Sequence, residues 1–358
     1  DALELEELFR ARCGAFVAEL AGDCDLGVTL GYTQSEHTLV WREEQAALDE
    51  LEAAYEGTLE GVFPTRREVP KVQMELPVCY AADRVKPRAT RIASPRILIP
   101  VFSGTNCEYE SARAVERAGA VADVLVLRTH SAVSTEESLR EFAVRIKSAQ
   151  ALFLPGGFSN ADEPDGSGKF ITAFLRNARA AEALTELLDE RDGLALGICN
   201  GFQALIKLGL LPYGRMTEPS ALSPTLTFNA IGRHQSRLVR AKIVSDRSPW
   251  LMLAGAGEIY TMPVSHGEGR FLCPPDVFAE LVQKGQIAAQ YVDAEGRPSM
   301  DVRFNPSGSF AAVEAVTSPD GRILGKMGHS ERIGNGLYQN VPGRFDLRLF
   351  ESAVRYFS

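Results

Sequence analysis

From residue 96 onward the sequence alternates short apolar runs with amphipathic stretches, and this alternation limits the chain to few architectures. The apolar runs predict buried strands over "RILIPVF", "VADVLVLRTH", "QALFLPGG" and "LALGIC". Helical spacing follows in "NCEYESARAVERAGA", "STEESLREFAVRIKSA", "GSGKFITAFLRNARAAEALTELLDERDG" and "GFQALIKLGLL". Strands that are joined through helices pair in parallel. We therefore expect an α/β fold with a doubly wound, mostly parallel sheet.

The remaining regions differ from this pattern. Residues 226–320 contain several strand-like runs, which predict an antiparallel extension of the sheet. "GRILGKMGHSE" then predicts a last strand, and "RLFESAVRYF" predicts a final helix. Residues 1–56 predict a small α+β segment, with helices over "DALELEELFRARCGAFVAEL" and "EEQAALDELEAAYE" and strands over "LGVTLGY" and "HTLVW". Residues 57–95 are rich in proline and charge and predict a linker, so the main domain is expected over residues 96–358.

Composition limits which binding partners and which cellular compartment we expect for this protein. A net charge of −9 and a pI near 5.3 argue against a nucleic-acid-binding face, which needs clustered positive charge. No apolar run is long enough to predict a membrane span and no secretory leader is visible, so we expect a cytoplasmic protein. Six scattered cysteines without a CxxC pair favour reduced thiols and predict no metal site. The chain begins at Asp1 rather than methionine, as expected of a piece of a longer protein.

One cysteine stands at a junction between a strand and a helix. In "LALGICNGFQALIKLGLL", Cys199 follows the apolar run, with Gly197 and Gly201 two residues to either side. This G-x-C-x-G arrangement is a cysteine version of the nucleophile elbow, in which small neighbours permit a sharp turn that exposes the side chain. The N-terminus of the following helix favours the thiolate. We interpret Cys199 as a nucleophile and the other five cysteines as structural, since most lone cysteines behave as small apolar residues.

A thiolate nucleophile needs a general base, and two of the five histidines lie two residues before a glutamate. In extended backbone, residues two apart project to the same side, so the carboxylate can orient the imidazole. His329 and Glu331 follow an expected strand end, where α/β proteins place catalytic groups, and we favour this pair. His266 and Glu268 lie among glycines, which is more typical of a binding loop.

Acyl transfer also needs hydrogen-bond donors for the oxyanion. The N–H of Asn200, directly after the nucleophile, is one natural donor. Gly156 and Gly157 in "LFLPGGFSN" follow an expected strand, and their N–H groups can supply the second. A simple turn at the end of the strand explains these two glycines equally well.

An ordered series of segments resembles a known family. The segments are "FSGTNCEYES", "LPGGFS", "GICNGFQALIKLGLLP", "PVSHGEGRF", "FNPSGS" and "RILGKMGHSER". Together they resemble the class I (triad) glutamine amidotransferase domains, in the form found in phosphoribosylformylglycinamidine synthases, over residues 96–358. "GVTLGYTQSEHTLVW" and "LDELEAAYEGTLEGVFPT" are similar to the end of the synthetase portion in the large single-chain form of these enzymes. Residues 1–56 are therefore implied to be the tail of a synthetase portion.

The resemblance implies a role for each matching residue. Cys199 is implied to be the nucleophile, His329 its base and Glu331 the group that orients the base. Gly157 and Asn200 match the oxyanion positions. The residues implied to bind or surround the substrate are Gln203, Gly156, His266 and Glu268.

Two departures from the family pattern stand out. "NADEPDGSG" follows "PGGFS" where many members have a Tyr-Gly-Asp-type loop. Gly328 and Ser330 flank His329 where the commoner form has prolines, but the H-x-E spacing is kept.

The candidate cations for the α-carboxylate of glutamine are Arg233, Arg237, Arg270 and Arg332.

The resemblance implies hydrolysis of L-glutamine through a cysteinyl thioester, with the ammonia passing to the synthetase portion of the same enzyme. There, ATP and Mg²⁺ would drive conversion of formylglycinamide ribonucleotide to formylglycinamidine ribonucleotide in purine biosynthesis. No cofactor is expected in this chain, and neither nucleic acid nor a membrane is an expected partner. A cysteine hydrolase or peptidase with a similar elbow, and a catalytically silent interaction module, are the alternatives.

Overall fold

The computed structural model describes residues 4–8, 10–22, 24–25, 27–64, 75–78, 91–159, 168–334 and 336–358. Contacts along the chain divide it into two compact units, residues 1–65 and residues 66–358. Residues 160–167, which are all but the last residue of the "NADEPDGSG" departure, and much of the expected linker lie outside the described residues. Among the described helices, none has both the length and the apolar character needed to cross a membrane.

The first unit is a small α+β segment, as expected. Its elements are α1 (Leu5–Leu8), β1 (Thr38–Trp41), β2 (Glu44–Ala47) and α2 (Leu48–Gly57). The two strands form an antiparallel hairpin, and α2 follows β2 directly. The prediction of a helix from residue 43 was therefore wrong for its first turn, where β2 pairs with β1 instead.

Two further predictions in the first unit were wrong. Over the described part of residues 1–20, the expected helix is confined to α1, and the expected strand "LGVTLGY" is irregular over its described residues. Phe16 and Tyr32 are 94% and 95% exposed. Short helices and strands need an apolar face packed on a partner, and these side chains are not buried in one.

The second unit contains eleven strands and eight α-helices among its described residues. The strands are β3 (Arg96–Val101), β4 (Val121–Val126), β5 (Ala151–Leu154), β6 (Leu194–Ile198), β7 (Thr225–Thr227), β8 (Gln235–Ile243), β9 (Ile259–His266), β10 (Arg270–Leu272), β11 (Ile287–Tyr291), β12 (Val313–Thr317) and β13 (Ile323–Lys326). The helices are α3 (Glu108–Arg117), α4 (Ala132–Ser148), α5 (Lys169–Leu175), α6 (Ala178–Thr185), α7 (Asn200–Lys207), α8 (Leu210–Tyr213), α9 (Pro275–Gln283) and α10 (Leu349–Phe357).

Nine of these strands form one sheet in the order β4-β3-β5-β6-β13-β12-β11-β8-β9. The first five run parallel to one another, and each later strand is antiparallel to its neighbour. β7 and β10 pair in a separate small sheet. The predicted parallel sheet with an antiparallel extension is therefore confirmed.

Apolar composition and capping explain where the elements begin and end. Every residue of β5 and β6 is buried, as expected of central parallel strands covered on both faces. The single long helix expected before β6 is instead divided into α5 and α6. Asn177 accepts a hydrogen bond from the N–H of Arg179, so a cap begins α6 where the sequence pattern continues unbroken.

The sheet order brings distant parts of the sequence to one edge. β3, β5, β6 and β13 are consecutive neighbours and run in the same direction. The segments that leave their carboxyl ends are therefore adjacent in space. The carboxyl edge of such a sheet is where α/β proteins place their binding groups.

Two glycines allow α7 to begin directly against this edge. A Cβ atom on Gly201 would collide with the carbonyl oxygen of Leu154 in β5. A Cβ atom on Gly197 would lie 2.6 Å from the backbone of Gly201. Since real Cβ atoms do not approach backbone this closely, β6 and α7 can meet here only without side chains.

Gly201→Ala is therefore expected to lower the free energy of unfolding by about 1–3 kcal/mol, because the rigid backbone of β5 has to move. Urea unfolding followed by circular dichroism measures this change. Gly334→Ala is the matched control, since its nearest neighbour would be a Leu337 methyl carbon at 3.8 Å. Equal stability of the two variants would contradict the packing argument.

Candidate active site

Cys199 occupies the sharp turn between β6 and α7. Its φ and ψ are 52° and −106°, in a region that residues other than glycine rarely adopt. Such backbone stores about 1–3 kcal/mol of strain and persists only where the surroundings fix it. The Cys199 N–H donates to the Lys326 carbonyl oxygen at 2.8 Å, and its own carbonyl accepts from the Gln203 N–H at 3.0 Å. The strained turn is therefore held from both β13 and α7.

His329 and Glu331 lie on the segment that leaves β13. His329 Nδ1 is 2.5 Å from Glu331 Oε1, and both residues are buried. A Cβ atom on Gly156 would lie 2.6 Å from His329 Cε1 and 3.4 Å from Cys199 Cβ, so the imidazole and the thiol converge on this glycine. His329 Nε2 has no hydrogen-bond partner among the described residues. This nitrogen is therefore the one available to the Cys199 thiol.

The opposite charges of His329 and Glu331 determine the protonation state of each residue. Burial alone would lower the pKa of His329, but the Glu331 carboxylate and the neighbouring thiols together raise it well above its ordinary value. For Glu331, burial would raise the pKa, but His329 lowers it below the usual range. An imidazolium beside a carboxylate is thus the favoured state near neutral pH. A positive charge next to a cysteine favours the thiolate.

His266 ends β9 and is held differently from His329. Its Nδ1 lies 3.0 Å from Asn229 Oδ1, while Asn229 Nδ2 donates to the His266 carbonyl oxygen at 2.7 Å. The same Asn229 oxygen accepts from the Gly269 N–H at 3.1 Å. Burial, and secondarily the charge of His329, lower the pKa of His266 to about 3. His266 is therefore a neutral group with a fixed ring.

The turn after β5 pairs with the loop after β3 and leaves one of its N–H groups outside that pairing. Phe158 N donates to Gly104 O at 2.9 Å, and Asn106 N donates to Gly156 O at 3.3 Å. These bonds form an antiparallel bridge between Thr105 and Gly157, so the Gly157 N–H points away from it. Gly157 has a φ of 146°, and a Cβ atom there would lie 2.7 Å from the Gly104 oxygen. The close approach of the two loops requires glycine at this position.

A pocket at the carboxyl edge of the sheet is lined by several of the residues that the sequence predicts for the site. Its lining consists of Gly157, Phe158, Cys199, Gln203, His266, Gly267 and Glu268. Asn200 is buried and is the first residue of α7, directly after Cys199. Gln203 Nε2 donates to the Glu268 carbonyl oxygen, and Gln203 Oε1 accepts from Asn200 Nδ2 at 2.9 Å. The four arginines considered for the α-carboxylate are not among the lining residues.

Sequence reasoning missed two residues of this region. Asn229 orders the loop at residues 266–269, yet "TFNAIG" carries no recognisable signal for that role. Cys107 was interpreted as structural, but its Sγ lies 3.8 Å from His329 Nδ1 and accepts from Arg332 Nη2 at 2.9 Å. Its position after β3 was the available signal, because β3 ends at the same edge as β5, β6 and β13.

The same cysteine belongs to a set of possible metal ligands. Cys107, His329 and Glu331 offer sulfur, nitrogen and oxygen atoms within 4.8 Å of one another, and zinc accepts all three types. His329 Nδ1 is already bound to Glu331, however, and Cys107 Sγ to Arg332. The donor atoms thus have protein partners in this arrangement.

The geometry defines an α/β domain with a buried cysteine–histidine–glutamate triad at the carboxyl edge of its parallel strands. A family model for the CobB/CobQ-like glutamine amidotransferase domain matches residues 94–357. The chain therefore belongs to this family and is a glutamine amidotransferase. Residues 1–93 lie outside the match.

Two relatives agree with this assignment, and one solved structure has a similar fold. The chain is 32% identical to "Phosphoribosylformylglycinamidine synthase subunit PurQ" of Pyrococcus furiosus, over 73% of this chain and 98% of that protein. It is 30% identical to the protein of the same name from Methanococcus maripaludis, over 74% of this chain and 98% of that protein. The "Structure of PurLQS from Thermotoga maritima" shares the fold, with a TM-score of 0.53 and 23% identity over 74% of this chain and 100% of that one.

The neutral His266 makes stability depend on pH. Its folded pKa of about 3 lies below the ordinary value of 6.5, so below pH 6.5 the unfolded chain binds a proton that the folded chain does not. The free energy of unfolding should therefore fall on acidification from pH 6.5, by roughly 1.4 kcal/mol per pH unit from this group.

Urea unfolding of the wild type and of His266→Gln at pH 6.5 and at about pH 5 isolates this contribution. The wild type should lose roughly 2 kcal/mol more than the variant over this interval. Equal losses in the two proteins would show that His266 is not held neutral.

Proposed function

We propose that the chain hydrolyses L-glutamine to glutamate and ammonia through a thioester on Cys199. The observation that carries this proposal is the convergence of Cys199, His329 with Glu331, and Gly157 from three neighbouring parallel strands. Membership of an amidotransferase family supports the carboxamide of glutamine as the group attacked.

In the first half of the reaction, the Cys199 thiolate attacks the carboxamide carbon. We assign stabilisation of the oxyanion to the N–H groups of Gly157, which lines the pocket, and of Asn200, which directly follows Cys199 at the start of α7. The His329 imidazolium donates its Nε2 proton to the departing nitrogen, which leaves as ammonia. Glu331 keeps the ring oriented through Nδ1.

In the second half, neutral His329 takes a proton from water as the water attacks the thioester. The tetrahedral intermediate uses the same two N–H donors and collapses to glutamate, with the Cys199 thiolate as leaving group. The imidazolium–thiolate pair is thereby restored. Desolvation of the triad strengthens each of these electrostatic steps, because His329 and Glu331 are buried.

Polar groups on the far side of the pocket support recognition of the substrate. Gln203 uses one N–H and one lone pair within the protein, which leaves its second N–H and second lone pair for the substrate side chain. His266 and Glu268 line the same pocket. We assign these groups to binding, because the ring of His266 is held neutral by its surroundings.

Cys199→Ala should lower glutamate release from glutamine by more than about a thousandfold, because the thioester cannot form. Enzyme-coupled detection of glutamate measures this rate. Cys273→Ala is the matched control, since it removes another buried thiol that does not line the pocket. Wild-type activity in Cys199→Ala would refute the nucleophile. Turnover of esters or peptides without glutamate release would favour the cysteine hydrolase alternative.

The names of the relatives support a finer proposal. Ammonia from this domain would serve a synthetase portion that uses ATP and Mg²⁺ to make formylglycinamidine ribonucleotide in purine biosynthesis. The similarity of residues 1–56 to the end of a synthetase portion supports a large single-chain form in which both portions share one polypeptide. The proposal includes a cytoplasmic location, because this pathway runs in the cytoplasm.

Combining the chain with a synthetase portion, formylglycinamide ribonucleotide, ATP and Mg²⁺ tests this finer proposal. Glutamine should support amidine formation with the wild type but not with Cys199→Ala, because only the wild type releases ammonia. Added ammonium salt should restore product formation with Cys199→Ala, which controls for an intact synthetase. Glutamate release without any glutamine-dependent amidine would contradict the purine assignment while leaving the glutaminase assignment intact.

A further inference from the structure

A buried ion pair lies directly behind the triad. Lys326 Nζ, at the end of β13, is 3.2 Å from Glu314 Oε1 on β12. The exposed fractions of the two side chains are 2% and 0%. Glu314 Oε2 has no hydrogen-bond partner among the described residues. Removing two charges from water is unfavourable, and apolar residues of similar volume often give equal or greater stability.

Both charges bind the backbone of the residue that precedes His329. The Gly328 N–H donates to Glu314 Oε1 at 2.8 Å, and the Gly328 carbonyl oxygen accepts from Lys326 Nζ at 2.6 Å. The two hydrogen-bonding groups of Gly328 are thus held by the two members of one ion pair. A Cβ atom on Gly328 would also collide with Met262 Sδ, so the segment passes close to β9.

The backbone of the base is fixed on its other side as well. The His329 N–H donates to the Pro263 carbonyl oxygen of β9 at 2.9 Å. The segment from Gly328 to His329 is therefore tied to β12, β13 and β9 at once. This leaves the imidazole little freedom to move relative to the sheet.

Lys326 also fixes the nucleophile. Its carbonyl oxygen accepts from the Cys199 N–H at 2.8 Å, across the parallel pair of β6 and β13. One residue therefore holds Cys199 through its backbone and the segment before His329 through its side chain. Any displacement of Lys326 changes the distance between the thiol and the imidazole.

We propose that Lys326 and Glu314 are positioning residues that set the geometry between Cys199 and His329. The proposal rests on the proposed glutaminase function and deepens it. Neither residue is among those that line the pocket, so we assign both to positioning rather than to catalysis. A misplacement of about 1 Å between reacting groups can lower a rate by roughly a hundredfold. Substrate binding depends on other residues and should be unaffected.

The variant Lys326→Met/Glu314→Leu tests this role. It replaces the pair by apolar side chains of similar volume, so a purely structural pair would leave the enzyme folded and active. We expect a cooperatively folded protein whose kcat for glutamate release falls about a hundredfold, while KM for glutamine changes less than about twofold. Circular dichroism and urea unfolding establish folding. Lys326→Met/Glu314→Gln keeps an acceptor for the Gly328 N–H and should lose less activity, which gives a second reading if the first variant does not fold.

A second measurement does not depend on glutamine. Alkylation of Cys199 by iodoacetamide at pH 7, followed by mass spectrometry of its peptide, reports how well His329 activates the thiol. It should be slower in the double variant by about tenfold or more. The matched control is Arg145→Met/Asp123→Leu, which removes a partly buried ion pair (2.7 Å) between α4 and the edge strand β4.

The outcomes separate the two proposals. Wild-type kcat and alkylation in folded Lys326→Met/Glu314→Leu would overturn the positioning role. Equal losses in the control pair would overturn it too, because the effect would then be general destabilisation. Slower alkylation of the variant, in a chain whose wild type releases no glutamate, would refute the glutaminase function but support the positioning role.

Discussion

The close approach of β5, β6 and α7 is the constraint on which the rest of the site depends. Gly197 and Gly201 allow the helix to start against the sheet with no intervening side chain. The chain must then turn within one residue, and Cys199 takes the positive φ that this turn imposes. The thiol consequently emerges at the helix N-terminus, where the positive end of the helix dipole favours negative charge.

Parallel topology supplies the partners of the thiol. β3, β5, β6 and β13 end at one edge, and each delivers one component of the site: Cys107, Gly157, Cys199 and His329. Side chains that are more than two hundred residues apart in the sequence are thereby held next to each other by the sheet. The antiparallel extension contributes differently. β9 and β12 hold the His329 segment from behind through Pro263 and Glu314.

Buried charge in this region is handled in two ways. His329 and Lys326 each face a carboxylate, Glu331 and Glu314, so burial is compensated by a nearby opposite charge. His266 instead faces the neutral amide of Asn229, and burial keeps it uncharged. Two histidines of the same region therefore hold different protonation states because their partners differ. His329 is thereby protonated beside Glu331, and His266 is a neutral residue in the lining of the pocket.

The local sequence pattern predicted the structure correctly where apolar residues in the pattern are also buried in the fold. The apolar runs at β3, β5 and β6 and the glycines around Cys199 predict strands and a sharp turn directly, and the H-x-E spacing at His329 predicts its pairing with Glu331. The same reasoning was wrong over residues 1–20, whose apolar periodicity is not matched by burial. It also missed the cap at Asn177 that divides one expected helix into two, because a single side-chain hydrogen bond decided the boundary.

The sequence by itself determined the fold class, the elbow and the order of the chemical groups, because each of these depends on residues close together in the chain. Only the tertiary structure decided that Cys107 lies beside His329, that Asn229 orders the pocket loop, and that Lys326 and Glu314 bind both polar groups of Gly328. These contacts join segments that are far apart in the sequence and become neighbours only through the order of the strands in the sheet. Residue spacing within a local sequence pattern therefore cannot predict which buried side chains contact each other.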